Sequence, residues 1–242
     1  MAVVHDGVRP LIRPDQISRV ILLGPSHRVG FLGIATSSAS SYRMPQGEIP
    51  LDRDSIDLLK ALPQVIEMDQ AHQFEHSLEV QLPFLQVVLG AFKMVPLLVG
   101  VTEPATVAAA IQRLWRDEGT LVVVSTDLSH YLDYETAGRR DGGTRAAVEA
   151  LNPGGFSHVD ACGSEALKGL LLAARNEGME AVTLDLRNSG DTAGSHDRVV
   201  GYGAVAFDAG DGPAPPGPPE SPTASASTGP LSAEHRAALL AL

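Results

Sequence analysis

Apolar residues in this chain come in short unbroken runs, separated by stretches where they recur every three or four positions. Five runs read as strands: Arg19–Gly24, Met94–Val99, Thr120–Ser125, Ala181–Leu186 and Val199–Phe207. Four helical patterns lie between them, over 52–62, 104–116, 134–151 and 164–177. The Val/Leu/Ile runs show no polar alternation, so the sheet they build is covered on both faces. The order predicts an α/β three-layer sandwich: a mixed, mostly parallel sheet with helices on both faces. Leu167, Leu170 and Leu171 share one helix face and are core positions. Gly142-Gly143 weakens the third helical pattern locally. No internal repeat is visible.

The pattern stops near Phe207. Residues 1–207 therefore read as one domain. Of the chain's 17 prolines, seven fall in residues 208–230, which read as an extended linker. Residues 231–242 carry Ser232 as a helix cap and Glu234 in a first turn, so they read as the first helix of a truncated following domain. A length of 242 residues suits one α/β domain with such a tail.

Charge and cysteine usage narrow the function classes. Lys+Arg 18 against Asp+Glu 29 gives a net charge of −11, which repels phosphate backbones and argues against nucleic acid. No apolar run approaches the roughly 18 residues needed to cross a bilayer. The first residues lack a basic region and an apolar core, so they are no signal peptide. Cys162 has no internal disulfide partner, and a reducing, cytoplasmic setting is the default.

Some motifs fall away. There is no Walker A loop and no Gly-x-Ser-x-Gly elbow. Gly201-Tyr-Gly203 lacks the rest of a dinucleotide fingerprint and reads as a bulge or close strand packing.

Four constellations remain. Gly24-Pro25-Ser26-His27 follows a strand and must turn sharply, placing Ser26 and His27 at the edge where open α/β sheets bind ligands. Ser125-Thr-Asp127-Leu-Ser129-His130 follows a second aliphatic strand. If the two strands are parallel, Asp127, Ser129 and His130 share that edge, as general base or metal ligand; a helix cap is the bland alternative. Gln73-Phe-Glu75-His76-Ser77-Leu-Glu79-Val-Gln81-Leu-Pro83-Phe84 is dense in polar groups yet interleaved with Phe74, Leu78, Val80 and Leu82, which suggests polar residues ordered beside a buried surface. Within it His72-Gln-Phe-Glu75-His76 matches the inverted zinc-protease motif, which needs both histidines on one helix face. Asp160-Ala-Cys162-Gly163 precedes a helix, whose dipole lowers a thiol pKa; a small core residue is the commoner fate of a single cysteine. His158, His196, His235 and His5 read as loop or terminal residues.

Taken in order, Gly-Pro-Ser-His, Glu-His-Ser-x-Glu-x-x-x-Pro-Phe, Ser-x-Asp-x-x-His and a late Cys-Gly before a helix resemble the Memo family, whose bacterial members are called AmmeMemoRadiSam system protein B. The resemblance covers about residues 17–207. It implies a fold like the class III extradiol dioxygenases. It also implies an iron or copper ion held by two histidines and one cysteine. By resemblance His27 is one histidine ligand, Cys162 the thiolate and His130 the base. Asp127, Ser26, Glu75, His76 and Ser129 are expected around the same pocket. Imidazole plus thiolate suits Fe(II), Cu(I) or Zn(II) and not Mg or Ca. The dioxygenases carry a carboxylate where this family has cysteine, so ring cleavage does not transfer. A metal-dependent redox or oxygen-reducing role, or a protein-binding scaffold, is what the resemblance leaves.

The family's first ligand lies in a Pro-His-Ala-Gly-Tyr segment upstream of Gly-Pro-Ser-His. Val4-His5-Asp6-Gly7 lacks both the proline and the Ala-Gly-Tyr context. A misassigned start or truncation is expected, with a strand missing from the sheet; a chain that truly starts here has a two-ligand site that binds metal weakly or not at all. Residues 231–242 resemble the opening helix of an AMMECR-type domain, and the family name implies a radical-SAM protein in the same system.

Overall fold

In a computed structural model, residues 14–115, 119–192, 194–209 and 239–241 are described. Their largest sheet has strands in the order β5-β2-β6-β1-β7-β11-β10-β8, with β9 on the far side of β10. The strands are β1 (Arg19–Pro25), β2 (Ile34–Thr36), β3 (Ser41–Met44), β4 (Gly47–Pro50), β5 (Val65–Glu67) and β6 (Lys93–Val99). They continue with β7 (Thr120–Val124), β8 (His130–Leu132), β9 (Met179–Asn188), β10 (Val199–Ala209) and β11 (Leu239–Ala241). β3 and β4 form a separate hairpin. The helices are α1 (Arg53–Leu59), α2 (Asp69–His72), α3 (Leu82–Leu89), α4 (Pro104–Leu114), α5 (Tyr134–Glu149) and α6 (Ser164–Asn176).

The centre of the sheet is parallel: β1 pairs with β6 on one side and with β7 on the other. β2 joins β6 antiparallel, and β8, β9 and β11 all join β10 antiparallel. The sheet is thus mixed, with the parallel strands at its core. Val20–Leu23 and Leu121–Val124 are wholly buried, as unbroken aliphatic runs require when both sheet faces are covered. Helix α4 packs on both α1 and α6, α6 also against β1 and β7, while α5 lies on β9 and β10. All five expected strands and four expected helices are present, with no end shifted by more than three residues. α5 runs unbroken through Gly142-Gly143.

Local chemistry starts and stops these elements. Asp52 caps α1 by accepting from the Ser55 N–H, and its carboxylate also takes Arg19 Nε at 2.6 Å, tying the helix to the start of β1. Asp133 caps α5 by accepting from the Thr136 N–H at 3.0 Å. Gly201 is packed against Asp141 of α5; a Cβ there would lie 2.0 Å from its Oδ2, so the glycine lets the helix, and not a neighbouring strand, approach closely.

The tail requires a correction. The expected linker and most of the expected helix over 231–242 lie outside the described residues. Leu239–Ala241, however, form strand β11 and not helix. They sit between β7 and β10, where buried ladder groups need partners, and that demand outweighs local helix preference. His5 also lies outside the described residues. Among the described residues no helix is long and apolar enough to cross a membrane.

Candidate metal centre

Because β1 and β7 are parallel, their carboxyl ends open at the same edge. Gly24-Pro25 ends β1 and turns the chain outward at Ser26-His27. A Cβ on Gly24 would meet Ser77 Oγ and Leu78 at 2.9 Å, so only glycine lets the Glu75–Leu78 segment approach. Ser77 Oγ donates to the Pro25 carbonyl at 2.8 Å and clasps the two segments together.

Glu75 is the anchor of this wall. Its side chain is 1% exposed, and it accepts from the His27 backbone N–H, from His27 Nδ1 at 2.9 Å, and from the N–H groups of His76 and Ser77. Burial alone would raise the Glu75 carboxyl. The His27 and Ser77 hydrogen bonds outweigh it and bring the group down to about 2. The rings of His27 and His76 stack with centroids 5.3 Å apart.

The facing wall comes from β7 and the start of α6. Cys162 stands just before Gly163, the N-cap of α6. A Cβ on Gly163 would lie 2.8 Å from the Ser125 carbonyl, so the thiol is held tightly against the 125–127 turn. Asp127 N–H donates to Cys162 Sγ at 3.3 Å, and the Thr126 hydroxyl lies 3.7 Å from it. With Nδ1 taken by Glu75, the other His27 ring nitrogen is left for the thiol. Burial pushes the Cys162 thiol up, but His27, the Asp127 N–H and Thr126 together bring it below its ordinary value. The same contact, opposed by burial and supported by Glu75, raises His27 to about 9. The contact thus favours the charged form of each partner, a protonated imidazole and an ionised thiol. His130 Nε2 lies 3.7 Å from Asp127 Oδ2, and this carboxylate raises the imidazole.

Candidate ligand atoms fall into two groups, each within 4.8 Å: His27, Glu75 and His76, and Asp127, His130 and Cys162. Both border a cavity of about 160 Å³ lined by His27, His76, Gln81, Asp127, Cys162 and Tyr202, among others. His27, Asp127, Cys162 and His76 are thus brought to one cleft, while Glu75 supports it from beneath and His130 stands behind Asp127. Ser26 Oγ donates to the Val29 carbonyl and Ser129 N–H to buried Asp141; neither residue lines the cavity. The zinc-protease geometry is not formed: α2 ends at His72, whose ring bonds Tyr42 and the Ala35 carbonyl, and the chain turns before His76. Asp185 and Tyr202 carry no sequence signal as cavity residues, whereas Gln81 belongs to the polar segment over 73–84. Gln81 is 3% exposed, and its Nε2 donates to Ser125 Oγ at 2.9 Å.

Comparison with known proteins identifies the family. The family model described as Memo-like protein matches residues 6–206. A MEMO1 family protein of Aeropyrum pernix is 35% identical over 201 residues, covering 77% of this chain and 71% of the relative. One from Methanopyrus kandleri is 33% identical over 202 residues, covering 78% and 71%. A crystal structure of an uncharacterized Escherichia coli K12 protein covers 81% of this chain and 90% of its own, with 16% identity and a TM-score of 0.44, too distant to bear on the argument. On the strength of the family match and these relatives, the chain belongs to the Memo-like proteins.

Proposed function

We propose that the cleft holds one transition-metal ion, iron or copper, through Cys162 and His27, and that the protein carries out redox or oxygen chemistry on a small-molecule or protein substrate. One observation carries this reading: Glu75 takes His27 Nδ1 and leaves the other ring nitrogen free of that carboxylate, on a residue that lines the same cavity as Cys162. A carboxylate behind a histidine fixes its tautomer and raises its basicity, as in carboxylate–histidine–metal sites. A nitrogen–sulfur donor pair selects soft or borderline metals. When bound, such an ion supplies electron transfer or oxygen activation. The protein's own groups do the rest. Asp127 holds His130 in orientation for proton transfer at the cleft wall, and Gln81 and Tyr202 shape the space for a substrate.

Metal content after anaerobic purification tests this. We expect weak, substoichiometric iron or copper in the parent chain, with loss in Cys162→Ala and in His27→Ala, and no further loss in His72→Ala. With Co(II) as probe, a thiolate-to-cobalt charge-transfer band is expected and should vanish in Cys162→Ala. Parent chain that takes up no metal would overturn the proposal. A second reading, a protein- or peptide-binding scaffold using the same cleft, is favoured by Phe74 and Tyr131. These neighbours of Glu75 and His130 are 73% and 64% exposed. It expects partner binding indifferent to Cys162→Ala and His27→Ala.

A further inference from the structure

Next to His130 the backbone is strained. Among the described residues two positions other than glycine are left-handed, Tyr131 at φ 59° and Leu151 at φ 47°. Leu151 follows the C-cap of α5, where helices commonly end in this conformation. Tyr131 has no such reason. It is the middle residue of β8 and the extra residue of a β-bulge: Val199 and Val200, consecutive in β10, face Leu132 and His130, which are two apart. That conformation favours glycine, because a Cβ crowds the carbonyl that follows. A tyrosine there costs stability, and burial offsets little of the cost, since Tyr131 stays 64% exposed. Its ring has two neighbours. The His130 ring stands 5.8 Å away at 66°, and the Arg198 guanidinium lies 4.9 Å from its centre.

Arg198 is unusual in its turn. It is exposed on a chain of net charge −11, yet among the described residues it forms no ion pair. Arg140 and Arg145 of α5 and Arg187 of β9 each sit beside a carboxylate. The segment that presents Arg198 is also pinned: the Tyr134 N–H donates to the His196 carbonyl at 2.9 Å, and the two rings stack 4.5 Å apart. A guanidinium held on an aromatic face with its fork unused is preformed for a carboxylate. From there the surface leads past Tyr131 to His130 and Asp127, and Asp127 lines the cavity with Cys162.

We propose that Tyr131 and Arg198 are the recognition rim of this cleft and that its substrate is an organic carboxylate. The carboxylate pairs with Arg198, the apolar body lies along Tyr131, and the remainder reaches His130. Strain is kept at Tyr131 because the ring serves the ligand and not the core. The proposal rests on the reading of the cleft as a substrate site and names the class of that substrate. It does not depend on the metal and is tested on the metal-free full chain with chelator present.

Hexanoate is the probe, with hexanamide as its uncharged counterpart and inorganic phosphate as a second anion. Binding is followed by NMR of the Tyr131 and His130 ring signals. Hexanoate should shift both saturably. Hexanamide and phosphate should bind at least about tenfold more weakly, and Arg198→Gln should weaken hexanoate by about tenfold or more. Tyr131→Gly and Tyr131→Ala should lose hexanoate to a similar degree, read on His130. Their stabilities should separate: the urea midpoint of Tyr131→Gly should match or exceed the parent, while Tyr131→Ala falls below it, because only glycine relieves the backbone. A tyrosine with a merely structural part would not give weaker binding together with undiminished stability. The proposal is overturned if hexanoate gives no saturable shift, if hexanamide or phosphate binds as well, or if Arg198→Gln changes nothing. It is also overturned if Tyr131→Gly and Tyr131→Ala fall equally below the parent, which would make the ring part of the packing. A parent chain that takes up no metal leaves these titrations as they are, and a chain that loads metal yet ignores hexanoate refutes the rim alone.

Discussion

The two walls of the cleft are built on different principles. On the Glu75 wall a buried carboxylate gathers four N–H groups from His27, His76 and Ser77, so the geometry is fixed before any ligand arrives. On the Cys162 wall the backbone is equally tight, but the side chains are loosely joined: Asp127 and His130 meet at 3.7 Å and both are partly exposed. One wall spends its hydrogen bonds on orientation. The other leaves Asp127 and Cys162 lining the cavity with only long contacts, where a substrate or a proton can reach them. A rigid ligand wall facing a responsive one is an arrangement suited to holding an ion while its surroundings change protonation.

The comparison breaks most severely at Glu75. Glu75→Ala leaves several N–H groups without an acceptor and should cost roughly 2–3 kcal/mol in urea denaturation. The milder Glu75→Gln keeps an acceptor but loses the charge. It should fold and bind Co(II) about 10–100-fold more weakly, by competition titration. An unchanged cobalt affinity would show that the two walls do not differ as described.

Next comes pH. In the metal-free protein the Glu75 carboxyl is brought from 4.5 to about 2, so its contribution to stability is full above 4.5 and is lost as pH falls toward 2. His27 is raised from 6.5 to about 9, so its contribution is full below 6.5 and is lost as pH climbs toward 9. Denaturation midpoints should therefore form a plateau between these limits. In His27→Ala the alkaline decline should flatten; a decline that persists unchanged belongs to some other group.

On the responsive wall the effects shrink. Asp127→Asn should move the His130 titration, followed by NMR, downward toward its ordinary value, with little change in stability. His72→Ala should be the smallest for the site. It removes bonds to Tyr42 and the Ala35 carbonyl, so it costs some stability, while leaving the cobalt band unaltered.

Much of this was legible in the sequence because unbroken aliphatic strands announce a buried parallel sheet, and parallel strands align their carboxyl ends. That logic alone brings His27 and Asp127 to one edge, and the helix after Gly163 brings Cys162 near it. Glu75 was legible as a polar residue among apolar neighbours, but its bond to His27 crosses 48 positions and has no local signature. Strands β2 and β5, three residues each, are too short to show a period, and the β3–β4 hairpin was hidden among polar residues. β11 was misread because Leu-Leu-Ala favours helix when taken alone. Only the unpaired edges of two strands more than thirty residues away make it a strand.

Gly24 and Gly163 carry a last consequence. Neither has a side chain, yet each marks a place where ordinary van der Waals contact leaves no room for a methyl group. In a random mutagenesis screen scored by loss of metal, both positions will register beside His27 and Cys162. A chemist reading only that hit list would assign them a role in the reaction, when their part is to keep two pieces of scaffold within touching distance.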